Sequence, residues 1–211
     1  LYDYPKLLQL HCKRRLEHRR TQMNLWKWLT PATAAAVFLA SATASAQEAA
    51  TAGKPSVGAG IRYGLEMNEG DSNPWGFGLG ARGGYTLDFG LYVGGAFEYY
   101  FGDSEDFGGG NEVSFNIWQL MAEVGYDVGL GDQLVLRPKA GLGLASIGGE
   151  VCIQGTCASD SESNLLLAPG VEFQYVGDGF FVGAEARYDF IFADPETANA
   201  LVLGASGGVL F

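Results

Sequence analysis

From Ser56 to Phe211 apolar residues alternate with small, polar or charged ones at a period of two, and the alternation restarts eight times. The eight segments are 56–67, 75–87, 90–101, 113–127, 133–148, 164–176, 180–192 and 199–211. Each is long enough to cross a bilayer as a tilted strand, which takes about 9–11 residues. The apolar parity is plain in the second segment (Trp75, Phe77, Leu79, Ala81, Tyr85, Leu87) and in the third (Leu91, Val93, Phe97, Tyr99, Phe101). In the eighth, Leu201, Leu203, Ala205, Val209 and Phe211 share one face. Val202, Gly204, Ser206 and Gly208 share the other. One greasy face and one face of small residues suits a wall between lipid and a narrow lumen.

The connections alternate in length. Those at 68–74, 102–112, 149–163 and 193–198 are long, whereas those at Asp88-Phe89, 128–132 and Gly177-Asp178-Gly179 are tight. Tight turns on one side and long loops on the other are the arrangement of an outer-membrane barrel, with the turns periplasmic. The pattern predicts an all-β fold, an eight-stranded antiparallel up-and-down transmembrane β-barrel over 56–211. A ten-stranded barrel stays open if 149–163 hides a further hairpin.

The front of the chain differs. Met23-Asn24-Leu25-Trp26-Lys27 precedes an Ala-rich apolar core, and Ala44-Ser45-Ala46 precedes Gln47. This predicts a helical secretory signal peptide over 23–46, cleaved between Ala46 and Gln47. Residues 1–22 begin on Leu and carry the basic run His11–Arg20, which fits an over-extended start or a long n-region. Residues 47–55 form a short lead-in to the barrel. Cleavage would leave six basic and 22 acidic residues, no histidine, and two cysteines. Phosphate contacts need clustered Lys and Arg, so nucleic acid is not an expected partner.

The remaining charges sharpen the barrel reading. Arg62, Arg82, Arg137, Lys139 and Arg187 lie within strands on the parity opposite the apolar residues. Glu66, Glu98, Glu123, Glu172, Glu185 and Asp189 share that inward parity. Arg or Lys on the lipid face costs roughly 2–4 kcal/mol at the midplane, so an inward charge network is expected. All 32 glycines lie after residue 50, many at inward positions where they leave room for long side chains. Pro138 and Pro169 cannot donate to a ladder, which predicts a bulge or local break at each.

On these residues the stretch 47–211 resembles the small outer-membrane β-barrel family, the eight-stranded OmpA/OmpX-like group. The resemblance rests on the signal peptide, the eight alternating segments and the terminal Phe211. It implies an outer membrane of the Gram-negative type and a lipid surround. It also implies that Phe211 is an assembly signal for the barrel-assembly machinery. A monomer is expected.

Candidate chemistry is sparse. Gly78-x-Gly80-x-x-Gly83 matches a dinucleotide fingerprint only on paper, because that motif opens a helix and these glycines sit inside an alternating strand. Cys152 and Cys157 lie in the longest loop, and two neighbouring cysteines in an oxidising compartment pair as a structural disulfide. A redox or metal role would want further ligands. Asp103, Glu105 and Asp106 lack the EF-hand spacing, so solvation explains them more simply than a cation does. Seryl hydrolysis needs a base beside the nucleophile, and the processed chain has no histidine.

The sequence thus leads to a non-enzymatic outer-membrane barrel without cofactor, whose role is structural or surface-interacting through acidic extracellular loops. The alternative is a narrow pore or passive transport of a small solute, with the inward charges as a gate. A soluble ligand-binding barrel would instead partition into water without detergent.

Overall fold

The computed structural model describes residues 49–67, 73–108, 111–153, 156–193 and 197–211. The expected signal peptide, its cleavage at Ala46–Gln47 and the basic start lie outside the described residues. Eight long strands follow: β1 Pro55–Glu66, β2 Gly76–Thr86, β3 Leu91–Gly108, β4 Asn111–Tyr126, β5 Leu134–Ile153, β6 Thr156–Val176, β7 Phe180–Phe192 and β8 Ala198–Leu210. Each pairs antiparallel with its chain neighbours. The sheet closes where β1 meets β8, from Ser56↔Leu210 to Glu66↔Ala200. A closed barrel leaves no unpaired edge within the membrane, where water cannot satisfy backbone groups.

The alternation places apolar side chains outside on every strand. Ile61, Leu79, Phe97, Leu120, Leu142, Leu167, Val182 and Leu203, one per strand, are all exposed. A girdle of apolar groups this large on a soluble monomer would drive association. Here it faces hydrocarbon. Leu120→Arg, mid-wall on β4, is expected to cost about 2–4 kcal/mol in bilayer-embedded folding titrations, against near neutrality for Leu120→Ile. A cost below the experimental error for the arginine variant would contradict a lipid-facing Leu120.

Both prolines interrupt the ladder on one side without shifting it. The β4–β5 pairing runs to Gly125↔Lys139, and the two-residue strand Val128–Gly129 just after β4 takes up the same register at Val128↔Leu136, skipping Pro138. The β6–β7 pairing stops at Leu167↔Phe190 and resumes at Gly170↔Arg187, skipping Pro169. Each proline keeps its place in the β5–β6 ladder, as Pro138↔Val171 and Ala140↔Pro169. A local break therefore forms at each, and no bulge.

The long connections need correction. The β5–β6 ladder continues unbroken from Leu134↔Tyr175 to Ile153↔Thr156, so 149–163 is a hairpin and not a loop. The 102–112 stretch likewise continues β3 against β4, with register irregularities after Phe101 and Asp106. These two hairpins also pair with each other, up to Glu112↔Cys152. They make a four-stranded sheet rising above the wall, in continuity with strands β3 to β6. The hairpin at 149–163 lengthens existing strands and adds none to the barrel, so the wall has eight strands.

A second correction concerns Trp75. It was expected on the outer face, yet it is fully buried. Gly76, the first residue of β2, has φ of +55°, which breaks the alternation there. Trp75 then turns inward over the lumen, edge-to-face with Tyr100 at 5.3 Å. Gly64 makes this fit possible, because a Cβ there would stand 2.6 Å from Trp75 Cβ.

Candidate functional site

The lumen is filled in layers. At the loop end, Trp75, Tyr100, Ile117, Met121, Leu166 and Ile191 form an apolar plug with Ala and Val residues of neighbouring strands. At the turn end, Ala49, Val135, Val176, Phe181 and Leu210 form a second. Ionised groups lie between and beside them, brought together because inward parity alternates with lipid-facing parity on every strand.

Arg187 on β7 is the hub. Its guanidinium donates to Glu98 (Nη2–Oε2 2.6 Å) and to Asp189 (Nε–Oδ1 2.6 Å). It also donates to Gln119 at 3.3 Å and to the Tyr100 hydroxyl at 3.2 Å. That hydroxyl in turn donates to Glu98 at 2.7 Å. Arg62 joins Glu98 at 3.2 Å and Glu185 at 3.4 Å. Arg82 bridges Glu172 and Glu185. Lys139 binds Glu123 at 2.7 Å and Glu185 at 3.2 Å. Ser206 donates to the second oxygen of Glu172 at 3.2 Å.

A separate cluster closes the turn end. Arg137 engages both oxygens of Asp127, one of them at 2.7 Å, and lies 3.8 Å over the Tyr92 ring. Thr86 and Thr51 both donate to Asp127 Oδ2. Thr51 belongs to the lead-in segment before β1, held at the mouth where Gly53 N–H donates to Thr86 O at 2.9 Å. The lead-in is therefore part of the packed interior.

Ten of the eleven charged residues expected in the lumen sit in these networks. Glu66 does not: it is half-buried at the loop rim and joins none of the ion pairs found among the described residues. Sequence reasoning missed Asp127, placed at the end of a strand, and the hydroxyl and amide partners Thr51, Thr86, Tyr92, Tyr100, Gln119 and Ser206. Their inward parity could have flagged all but Thr51, Asp127 included, since it shares the odd parity of Gln119 and Glu123. Burying charges is costly unless they are paired and hydrogen-bonded, and here every buried cation has carboxylate partners. Chemically the arrangement is a closed electrostatic core. Among the described residues, five cations and six carboxylates are buried in it.

The other candidate region is the protruding sheet. Cys152 and Cys157 stand directly opposite each other near the tip of the β5–β6 hairpin and form a disulfide. Residues 102–116 and 145–164 carry seven acids and no Lys, Arg or His. Residues Cys157–Ser163 are all exposed. The β6–β7 pairing begins only at Leu165, so the outer edge of 156–164 has no strand partner among the described residues. Phe211, at the opposite end, is 72% exposed, with its backbone N–H bonded to Pro55 O at 3.1 Å.

A closed antiparallel cylinder with a lipid-facing apolar girdle and an ionised interior defines a transmembrane barrel of the outer-membrane type. The sequence profile of the outer membrane protein β-barrel domain matches residues 32–207, and the chain belongs to that family. It is a protein of the Gram-negative-type outer membrane, set in lipid. Among solved structures it is similar to Ail, the attachment invasion locus protein of Yersinia pestis, at 16% identity and a TM-score of 0.57, covering 75% of this chain and 99% of that one. Ail has also been crystallised in complex with the heparin analogue sucrose octasulfate, at 17% identity and a TM-score of 0.58, with the same shares covered. Neisserial surface protein A is similar at 17% identity and a TM-score of 0.54, covering 75% and 96%. These likenesses establish the fold. No functionally curated protein sequence matches the chain.

Proposed function

We propose that the protein is a non-enzymatic, monomeric surface anchor whose acidic protruding sheet captures a basic, extended polypeptide. The observation that carries this is the edge along Cys157–Ser163, which is exposed, acidic and unpaired on one side among the described residues. Such an edge templates an added strand: backbone hydrogen bonds supply affinity, and side chains at alternate positions supply selectivity. Asp160, Glu162 and Glu150 are exposed and favour a Lys- or Arg-rich partner. A sulfated sugar of the kind bound by Ail has the wrong charge for this surface. The barrel itself serves as a rigid, sealed mount, delivered to the membrane by assembly machinery that reads Phe211.

A narrow pore is the second reading, and the packed interior disfavours it. Two assays separate them. A Lys-rich unstructured peptide is expected to bind the bilayer-embedded protein in a salt-sensitive way, and its Glu-rich counterpart is not. N–H groups along a strand alternate between its two edges, so one of the adjacent residues Asp160 and Ser161 directs its donor outward. Proline at that position is expected to weaken binding about tenfold, since it deletes the donor. Unchanged binding in both proline variants would refute strand addition. Discrete conductance steps in a planar bilayer would favour the pore instead.

A further inference from the structure

We propose that Glu150, Cys152 and Cys157 form a redox-gated site for a soft or borderline divalent cation such as Zn2+ or Cd2+. The β5–β6 register sets Cys152 opposite Cys157, and Glu150 lies two residues before Cys152 on the same face of the strand. One Glu150 oxygen and the two sulfurs all lie within 4.8 Å of one another. Cys152 Sγ is 3.8 Å from Glu150 Oε1. Glu150 and Cys157 are exposed and Cys152 half-buried, so a cation reaches the group from solvent without disturbing the sheet. Spacing along the chain pointed only to a disulfide. The third ligand emerges from the fold.

In the disulfide form the sulfurs are neutral and bind no cation. A dithiol reductant opens the site. Its two thiols become a disulfide, and the two electrons and two protons they give up cleave the Cys152–Cys157 bond and leave two thiols. The cation then displaces both thiol protons to solvent and forms two metal–thiolate bonds of about 2.3 Å, with the Glu150 carboxylate as a third ligand and water as a fourth. Thiolate donors select Zn2+ or Cd2+ over Ca2+ or Mg2+, which prefer oxygen. The acidic sheet around the tip raises the local cation concentration. The hairpin tip is thereby cross-linked in both states, by a disulfide when oxidised and by metal when reduced.

The test is a Cd2+ titration of the full folded barrel in detergent, oxidised and after reduction by a phosphine, followed by calorimetry and by thiolate-to-cadmium charge-transfer absorption. Reduced protein is expected to bind one equivalent at least ~100-fold more tightly than oxidised protein, as two anionic sulfur ligands become available. Glu150→Gln is expected to retain the absorption band and weaken binding about tenfold, by loss of one ligand. Cys152→Ser is expected to lose the band, with heat-modifiable gel mobility reporting that the barrel is folded. Equal binding by the oxidised and reduced forms, unchanged affinity in reduced Glu150→Gln, or half an equivalent bound per chain would each overturn the proposal.

Discussion

Replacing Arg187 with methionine is expected to destabilise the folded barrel by about 3–5 kcal/mol, because it leaves buried carboxylates without their shared cation. Arg187 is 2% exposed and bonds Glu98, Asp189, Gln119 and Tyr100 at once. The loss should come from the stranded charges and not from volume, since methionine fills similar space. The triple variant Arg187→Met, Glu98→Gln, Asp189→Asn should then recover part of the stability. Groups in one network couple by roughly 0.5–3 kcal/mol. Urea titration in lipid vesicles reads both values. A triple variant no better than the single one would show that repulsion between uncompensated carboxylates is not the source.

The second large effect belongs to Trp75. Trp75→Ala should cost about 3–5 kcal/mol, the usual range for truncating a buried tryptophan. The side chain is wholly buried and anchors the loop-end plug against Tyr100 and Ile117. Its indole N–H has no hydrogen-bond partner among the described residues, so Trp75→Phe forfeits no bond to them and should cost less than half as much. Hydrogen exchange should quicken at Ile117 and Ile191 in the alanine variant as the plug loosens. Equal costs for Ala and Phe would place the tryptophan's contribution in its N–H and not in packing.

The wall was legible in the sequence because a period of two is a local signal that burial on one face enforces. Ile61, Leu79 and Val182 point outward, and Arg62, Glu98 and Glu185 inward, as parity demands. What parity could not give was contact across the lumen. Arg82 meets Glu172 ninety positions away, and only closure of the cylinder decides which opposite charges touch. Trp75 escaped because one glycine with positive φ reverses the side on which its neighbour lies. The protruding hairpin escaped for a different reason. Thr156–Asn164 is polar on both faces and so has the composition of a loop. It is held as a strand by its register against β5, from Ile153↔Thr156 to Ala145↔Asn164. Thr51 was hidden because a lead-in segment has no periodicity to show that it is buried.

The central claim is that odd-numbered residues of β8 face lipid while even-numbered ones face a sealed interior. Nitroxide labels at Val202, Leu203, Ala205 and Ser206 in bilayer-embedded protein test it most directly, through collision with oxygen, which concentrates in lipid, and with a water-soluble nickel chelate. Leu203 and Ala205 should be open to oxygen and closed to nickel, and Val202 and Ser206 should be shielded from both. Nickel access at Val202 or Ser206 would mean a watery lumen, and nickel access at Leu203 or Ala205 would mean that no lipid surrounds the wall; either result would contradict the account.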